Sequence, residues 1–440
     1  MTETTLTYQS VDQTVLDTLR PPDRRYWGVV ALLFCGILTG AGCWIYQILI
    51  GIGVGGQNNP VHWGTYLINF VFWVGIAHSG TLISAILHLF RAGWRNPIAR
   101  AAETMTVFAV CTAGLFPFIH LGRVWMVFYM LPFPNQRTLW PNFQSPLMFD
   151  VVAISTYLTV SSLFWFTGML PDLAIIRDRA QGVRRKIFAI LSLGWTGEYE
   201  QWRHYTRGYL FFAALATPLV ISVHSVVSWD FALGIVPGWH TTIFAPYFVA
   251  GAIHSGLAMV LTLMIPLRKL FHYEKIITIN VLEMVAKTIV FTGLIVGFAY
   301  GTEMFIAWYS HNSVEMETFR YRAFGDYALE YWIMVICNTI IPLFFLFKPV
   351  RTTIKWLFII SIFVNIGMWY ERFVIIIGSV AHDFLPYAWG LYRPTIIEFG
   401  IMFGSFCLFF FLFVLFVKHL PSVSMTEIKE TLHTGGAHGD

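Results

Sequence analysis

Ten apolar runs, each long enough to cross about 30 Å of hydrocarbon, decide what this 440-residue chain can become. They fall at about 27–50, 62–90, 101–131, 146–170, 208–234, 240–267, 276–308, 327–347, 354–380 and 394–418. Inside a bilayer each backbone N–H and C=O must find its partner within the protein, so runs of this length fold as helices. Composition agrees, with 57% hydrophobic and 12% charged residues and a mean hydropathy of +0.64. A soluble globular fold is excluded, and an all-α polytopic membrane protein with ten transmembrane helices is expected. The third and seventh runs are longer than a perpendicular crossing needs, so tilt or projection beyond the bilayer is expected.

Lysine and arginine set the orientation. The N-terminal tail, the loops after the even-numbered spans and the C-terminal tail hold 21 of the 28. The opposite loops hold four (Arg137, Arg320, Arg322 and Arg393), and Arg123, Lys287 and Arg372 lie within spans. Both termini are therefore expected in the cytoplasm. The polar first 26 residues show no small-residue cleavage site, so no removable targeting segment is expected. The basic residues flank apolar runs and form no patch of their own, which removes nucleic acid as a partner. The long basic loop 171–207 reads first as part of the same orientation signal, with "WTGEYEQWRHYTR" a candidate for a short interfacial helix. The five cysteines (Cys35, Cys43, Cys111, Cys337 and Cys407) lie inside apolar runs without a CxxC pair, so disulfides and iron–sulfur ligation are not expected. Haem fits poorly too. His240 and His254 return to one helix face, whereas His62 and His78, 16 apart, lie on different faces.

The chain repeats itself. Spans two and six both read W-x11-G-x2-H-S-G, with Trp63, Gly75 and His78 matching Trp239, Gly251 and His254 at an offset of 176. The same offset carries Asp150, opening span four, to Asp326, opening span eight. The expected architecture is two parallel-related four-helix bundles, spans 2–5 within 62–234 and spans 6–9 within 235–380. Two peripheral helices complete it, one in 1–61 and one in 381–440.

Ionisable residues inside the membrane are costly and mark function by default. His120 and Arg123, three apart, are expected on one side of span three. Asp150, His224 and Asp230 join them in the outer half of the first bundle by topology. Together they suit a polar pocket that holds a polar headgroup and moves protons; the bland alternative is that Arg123 pairs with Asp150 or Asp230 to lock helices. In the second bundle Glu303, Asp326, Glu330, Glu371 and Arg372 lie toward the outside. Glu283 and Lys287, four apart, are expected to pair structurally toward the cytoplasm. Candidate proton-transfer residues are His78, Glu103, His254, Glu303, Asp326, Glu371 and Arg372. For His78 and His254 a packing role is the competing reading.

The stretches "HLGRVWMVFYMLPFPNQRTLWPNFQSPLMFD", "HSVVSWDFALGIVPGWHTTIFAPYFVAGAIHSG" and "NIGMWYERF" resemble the membrane subunits of the NrfD/PsrC family, above all its ActC branch in bacterial alternative complex III. The resemblance runs from about residue 20 to 418. It implies a quinol:electron acceptor oxidoreductase in which this chain binds quinol, menaquinol by expectation, near the outer face. Implied partners are an iron–sulfur subunit on that face, a homologous NrfD-like membrane subunit, cytochrome c subunits and membrane lipids. No haem or cluster is expected on this chain itself. The resemblance carries the catalytic role to His120, Asp150 and Asp230, with Arg123 fixing carboxylate geometry; His224 rests more on topology. His120 would accept a hydroxyl proton, Asp150 would follow as its partner or next acceptor, and Asp230 would lead protons outside. A passive membrane anchor, a proton translocator and an independent transporter are the rival readings.

Overall fold

The computed structural model describes residues 7–131 and 146–436, and among these the chain is built of helices without a strand. Ten helices are long and apolar enough to cross a membrane. In chain order they are α2 (Arg24–Ile50), α3 (Thr65–Leu89), α4 (Gly93–His120), α5 (Pro146–Arg179), α7 (Tyr199–Ala232), α8 (Phe244–Leu270), α9 (Ile279–Tyr309), α11 (Ala328–Leu346), α12 (Ile354–Val380) and α13 (Ile396–His419). Among the described residues, four helices of ten or more residues stand outside this set: α1 (Tyr8–Thr18), α6 (Gly182–Leu191), α10 (Ser313–Phe324) and α14 (Met425–Gly436).

Local chemistry sets the ends. The Asp23 side chain accepts from the Tyr26 N–H at 2.9 Å and starts α2. Thr395 and Glu398 form a capping box for α13. Both described chain ends lie on one side, tied by Lys429 of α14 to Asp12 of α1 at 2.6 Å. That side is called the termini side below, and the other the far side.

The helices pack as two sets of four, α3–α4–α5–α7 and α8–α9–α11–α12, with α3 and α8 crossing at the centre. The repeated motif makes this crossing. Trp63 and Trp239 stack at 5.5 Å and 28°. A Cβ on Gly75 would lie 3.2 Å from Arg372 Nη2, and one on Gly251 3.3 Å from Glu371 Oε1. A Cβ on Gly256 would land on the Ser79 side chain. The glycines thus let α3, α8 and the charged pair of α12 share one tight junction. Helices α2 and α13 pair with each other at the edge, and α13 leans on α3 and α4.

Two expected elements differ. The third run is not one helix to residue 131: α4 stops at His120, Gly122 turns the chain at φ +67°, and Val124–Met130 follows as a 3-10 segment. Pro117 removes a backbone donor in the last turn and Gly122 supplies the left-handed reversal, so the helix ends inside apolar sequence. The stretch "WTGEYEQWRHYTR" forms no separate interfacial helix either. From Tyr199 onward it is the opening of α7, which continues as a span. Arg137 and the rest of 132–145 lie outside the described residues.

Candidate functional site

Helices α5 and α7 pack with opposite directions, so the first turn of one meets the last turn of the other on the far side. Asp150 and Asp230 meet there. Both are buried, their carboxyl groups interact directly, and none of their four oxygens accepts a hydrogen bond from a donor among the described residues. Two carboxyl groups face to face, with no cation between them among the described residues, share a proton or take a donor from a ligand.

His120, the last residue of α4, lies on the same side and is half-buried, with its Nδ1 buried and without a partner. Its titratable neighbour is His62, exposed in the connection between α2 and α3. Sequence reasoning weighs His62 only as a haem ligand; its position just before span two, on the side where span three ends, is the signal that it stands by His120. Arg123 departs from expectation. The break after His120 turns it away from the helix axis, and it is exposed, with no ion pair among the described residues.

Six residues before Asp230, roughly 9 Å deeper along α7, lies His224. It is fully buried, and neither ring nitrogen has a partner. Its ring stands 4.4 Å from that of His78, and Tyr157 stacks on His78 in turn at 5.1 Å and 25°. His78 Nδ1 donates to the Val74 carbonyl, which leaves Nε2 without a partner. Tyr157 hydroxyl donates to the Ala77 carbonyl at 3.0 Å and shares a 2.6 Å bond with Thr81. The first bundle therefore holds two polar levels: a carboxyl pair near the far side, and an imidazole pair with a phenol beneath it.

In the second bundle Arg372 pairs with Glu371, and Glu371 also accepts from the Tyr300 hydroxyl. Asn338, in a π-turn of α11, donates to the same hydroxyl at 2.9 Å. Arg372 lies within electrostatic reach of both His224 and His254, so it joins the two bundles. His254 Nδ1 shares a 2.9 Å hydrogen bond with the Thr292 hydroxyl and, like His78, its Nε2 is unpartnered among the described residues. Glu303 is buried toward the far side, and Glu330 keeps one buried oxygen without a partner. Asp326 is exposed in the turn before α11 and accepts from Tyr321 at 3.0 Å, so it does not mirror the buried Asp150. Glu283 pairs with Lys287 at 3.0 Å and also with Arg351 at 2.8 Å.

On the termini side Glu103 accepts from the Tyr209 hydroxyl at 2.7 Å and lies 3.5 Å from Arg100, itself 3.3 Å from Asp172. A cavity of about 600 Å³ reaches this cluster, lined among others by His88, Trp202, Tyr205, Tyr209 and Glu427. Among the described residues no group of three or more His, Cys, Asp or Glu side chains is placed to hold a metal ion.

Residues 53–382 match the family model described as "Polysulphide reductase, NrfD". The chain belongs to the NrfD family. Over 437 residues it is 21% identical to the Hdr-like menaquinol oxidoreductase integral membrane subunit of Archaeoglobus fulgidus, a match that takes in 93% of this chain and 96% of that protein. Over 255 residues it is 30% identical to a putative dimethyl sulfoxide reductase membrane subunit of Halobacterium salinarum. That second match takes in 57% of this chain and about half, 53%, of the relative's length.

Proposed function

We propose that this NrfD-family subunit binds and oxidises quinol, menaquinol in the first instance, at the far side of its first bundle within a respiratory complex of the alternative complex III kind. The observation that carries the reading is the buried Asp150–Asp230 pair with no donor among the described residues. A diol headgroup supplies the donor such a pair lacks. Support also comes from the printed name of the Archaeoglobus relative, a menaquinol oxidoreductase subunit.

Oxidation of a quinol breaks two O–H bonds and releases two protons and two electrons. His120 accepts one proton at its free Nδ1, and the carboxyl pair accepts the other. The electrons leave to an iron–sulfur cluster on a partner protein at the far side. With termini in the cytoplasm, the far side faces outward, and the protons are released there past Asp230 and the exposed His62. Further subunits, a homologous membrane subunit and cytochrome c among them, belong to the same proposal.

His120→Ala, Asp150→Asn and Asp230→Asn, each in the intact complex, test the reading. Quinol turnover is expected to fall about 100-fold or more, the range of a lost acid–base group, with the full set of subunits still assembled. Undiminished turnover in a fully assembled complex would leave the passive-anchor reading in its place.

A second reading, proton transfer through the membrane by the same subunit, is favoured by the polar row at the bundle junction. His78, His224, Arg372, Glu371 and Tyr300 follow one another there, with His254 beside them and Glu303 beyond. Glu103, bonded to the Tyr209 that lines the termini-side cavity, is the entry group in that reading. Charge movement in excess of quinol deprotonation, lost in Glu371→Gln, is its test.

A further inference from the structure

We infer that Gln47, on a peripheral span that contributes nothing else to the site, is a positioning residue for His120. Helix α2 is largely turned to lipid: Ile45, Tyr46, Leu49 and Ile50 around Gln47 are all exposed. Gln47 alone among them is fully buried. Its Nε2 donates to the carbonyl of Ile119 at 2.8 Å, and its Oε1 accepts from the hydroxyl of Tyr66 at the start of α3. The phenol O–H fixes which end of the amide faces which partner, since only Oε1 can accept it.

Ile119 directly precedes His120, and α4 ends there. Its carbonyl accepts the Gly122 N–H of the reversal at 3.2 Å, and the Gln47 amide is a second donor to it from another helix. Gln47 thereby braces the end of α4 beside that reversal and ties α2, α3 and α4 together at the imidazole of His120. The reversal just after His120 is held from the same edge. Glu398 of α13 accepts from the Gly56 N–H at 2.7 Å, the Thr395 N–H at 2.9 Å and the Tyr392 hydroxyl at 2.5 Å. Burial, with the Glu398 carboxylate beside it, pushes the Tyr392 phenol up, so it remains a donor. Thr395 hydroxyl donates to the Val54 carbonyl at 3.1 Å. The connection so clamped lays Ile52 over Gly122, where an added Cβ would lie 3.3 Å away. His120 has no hydrogen bond of its own at Nδ1. Its ring is therefore aimed by its backbone, and its backbone is aimed by Gln47.

This inference rests on the reading of His120 as proton acceptor. A misplacement of 1 Å can cost an enzyme about 100-fold; the loss of one brace out of two is expected to cost less. In the intact complex, Gln47→Leu should lower kcat about tenfold while the quinol KM stays within about threefold. Tyr66→Phe keeps the ring but removes the donor that orients the amide, and should lower kcat by about two- to fivefold; it decides the matter if Gln47→Leu does not assemble. Ser405→Ala removes a different tie of the α2–α13 pair to α3, the 3.1 Å bond from Trp73 Nε1, and should leave turnover unchanged. Wild-type turnover in both Gln47→Leu and Tyr66→Phe, or an equal fall in Ser405→Ala, would overturn the inference. His120→Ala separates the two levels: if it turns over normally, the parent reading fails; if it is inactive while the Gln47 and Tyr66 variants are normal, only the positioning role fails.

Discussion

Asp150 and Asp230 are buried in contact with each other and, among the described residues, with no cation, an arrangement that costs stability unless a proton or a ligand donor lies between them. Residues that act as one unit lose activity once, not twice. Asp150→Asn and Asp230→Asn should each lower quinol turnover about 100-fold, and the double variant should fall about as far as either single one. Independent roles would instead multiply the losses toward about 10⁴-fold, and steady-state turnover distinguishes the two. Arg123 is the contrasting case. It is exposed beyond the end of α4 and makes no ion pair with either carboxylate among the described residues. Arg123→Gln should keep turnover within about threefold of wild type, as expected of a surface charge. The sequence makes Arg123 look like the partner of His120 because a guanidinium three residues along an apolar run shares a helix face only if the helix continues. Pro117 and Gly122 carry the opposite message, diluted by the aliphatic and aromatic residues between them.

At the scale of helices, the repeated W-x11-G-x2-H-S-G motif has a geometric purpose. It brings two tryptophans into a stack and leaves two glycine notches for the Glu371–Arg372 pair. Filling a notch is an overpacking change, which costs about 1–3 kcal/mol. Gly251→Val should lower the melting temperature of the solubilised complex, because its new atoms meet Glu371 and Met368. Gly42→Ala on lipid-facing α2, where an added Cβ meets nothing within 4 Å, should leave it unchanged. Equal melting of the two would refute the notch. The spans and the repeat are readable in the sequence since hydrocarbon thickness and close helix approach each impose a residue pattern. The offset of 176 is less informative for Asp326. Helix α5 begins four residues before Asp150, whereas α11 begins two residues after Asp326, so one carboxylate enters a bundle and its counterpart stays in a turn.

Across the whole molecule, the termini side of the first bundle is covered by the C-terminal helix α14. Nothing in the polar tail sequence announces this, because the partners of its charges lie more than 300 residues away. Helix α14 places Glu427 against Arg95 at 2.8 Å, with side-chain exposures of 10% and 4%. Thr426 donates to Asp172 through both its N–H and its hydroxyl, at 3.2 and 3.0 Å. Asn96 reaches the Glu427 carbonyl at 3.2 Å. The tail thereby covers the cluster around Glu103 and walls the cavity that leads to it. Removing one member of a buried ion pair strands the other, at about 3–5 kcal/mol, whereas replacing both by apolar side chains is often nearly neutral. Glu427→Met alone should therefore destabilise the protein markedly, and Arg95→Met alone likewise. The double variant should recover most of the loss, a coupling that a thermal-melting cycle on the solubilised complex measures directly. Additive effects would mean that the tail does not dock on Arg95, and Glu103 would then open directly to solvent.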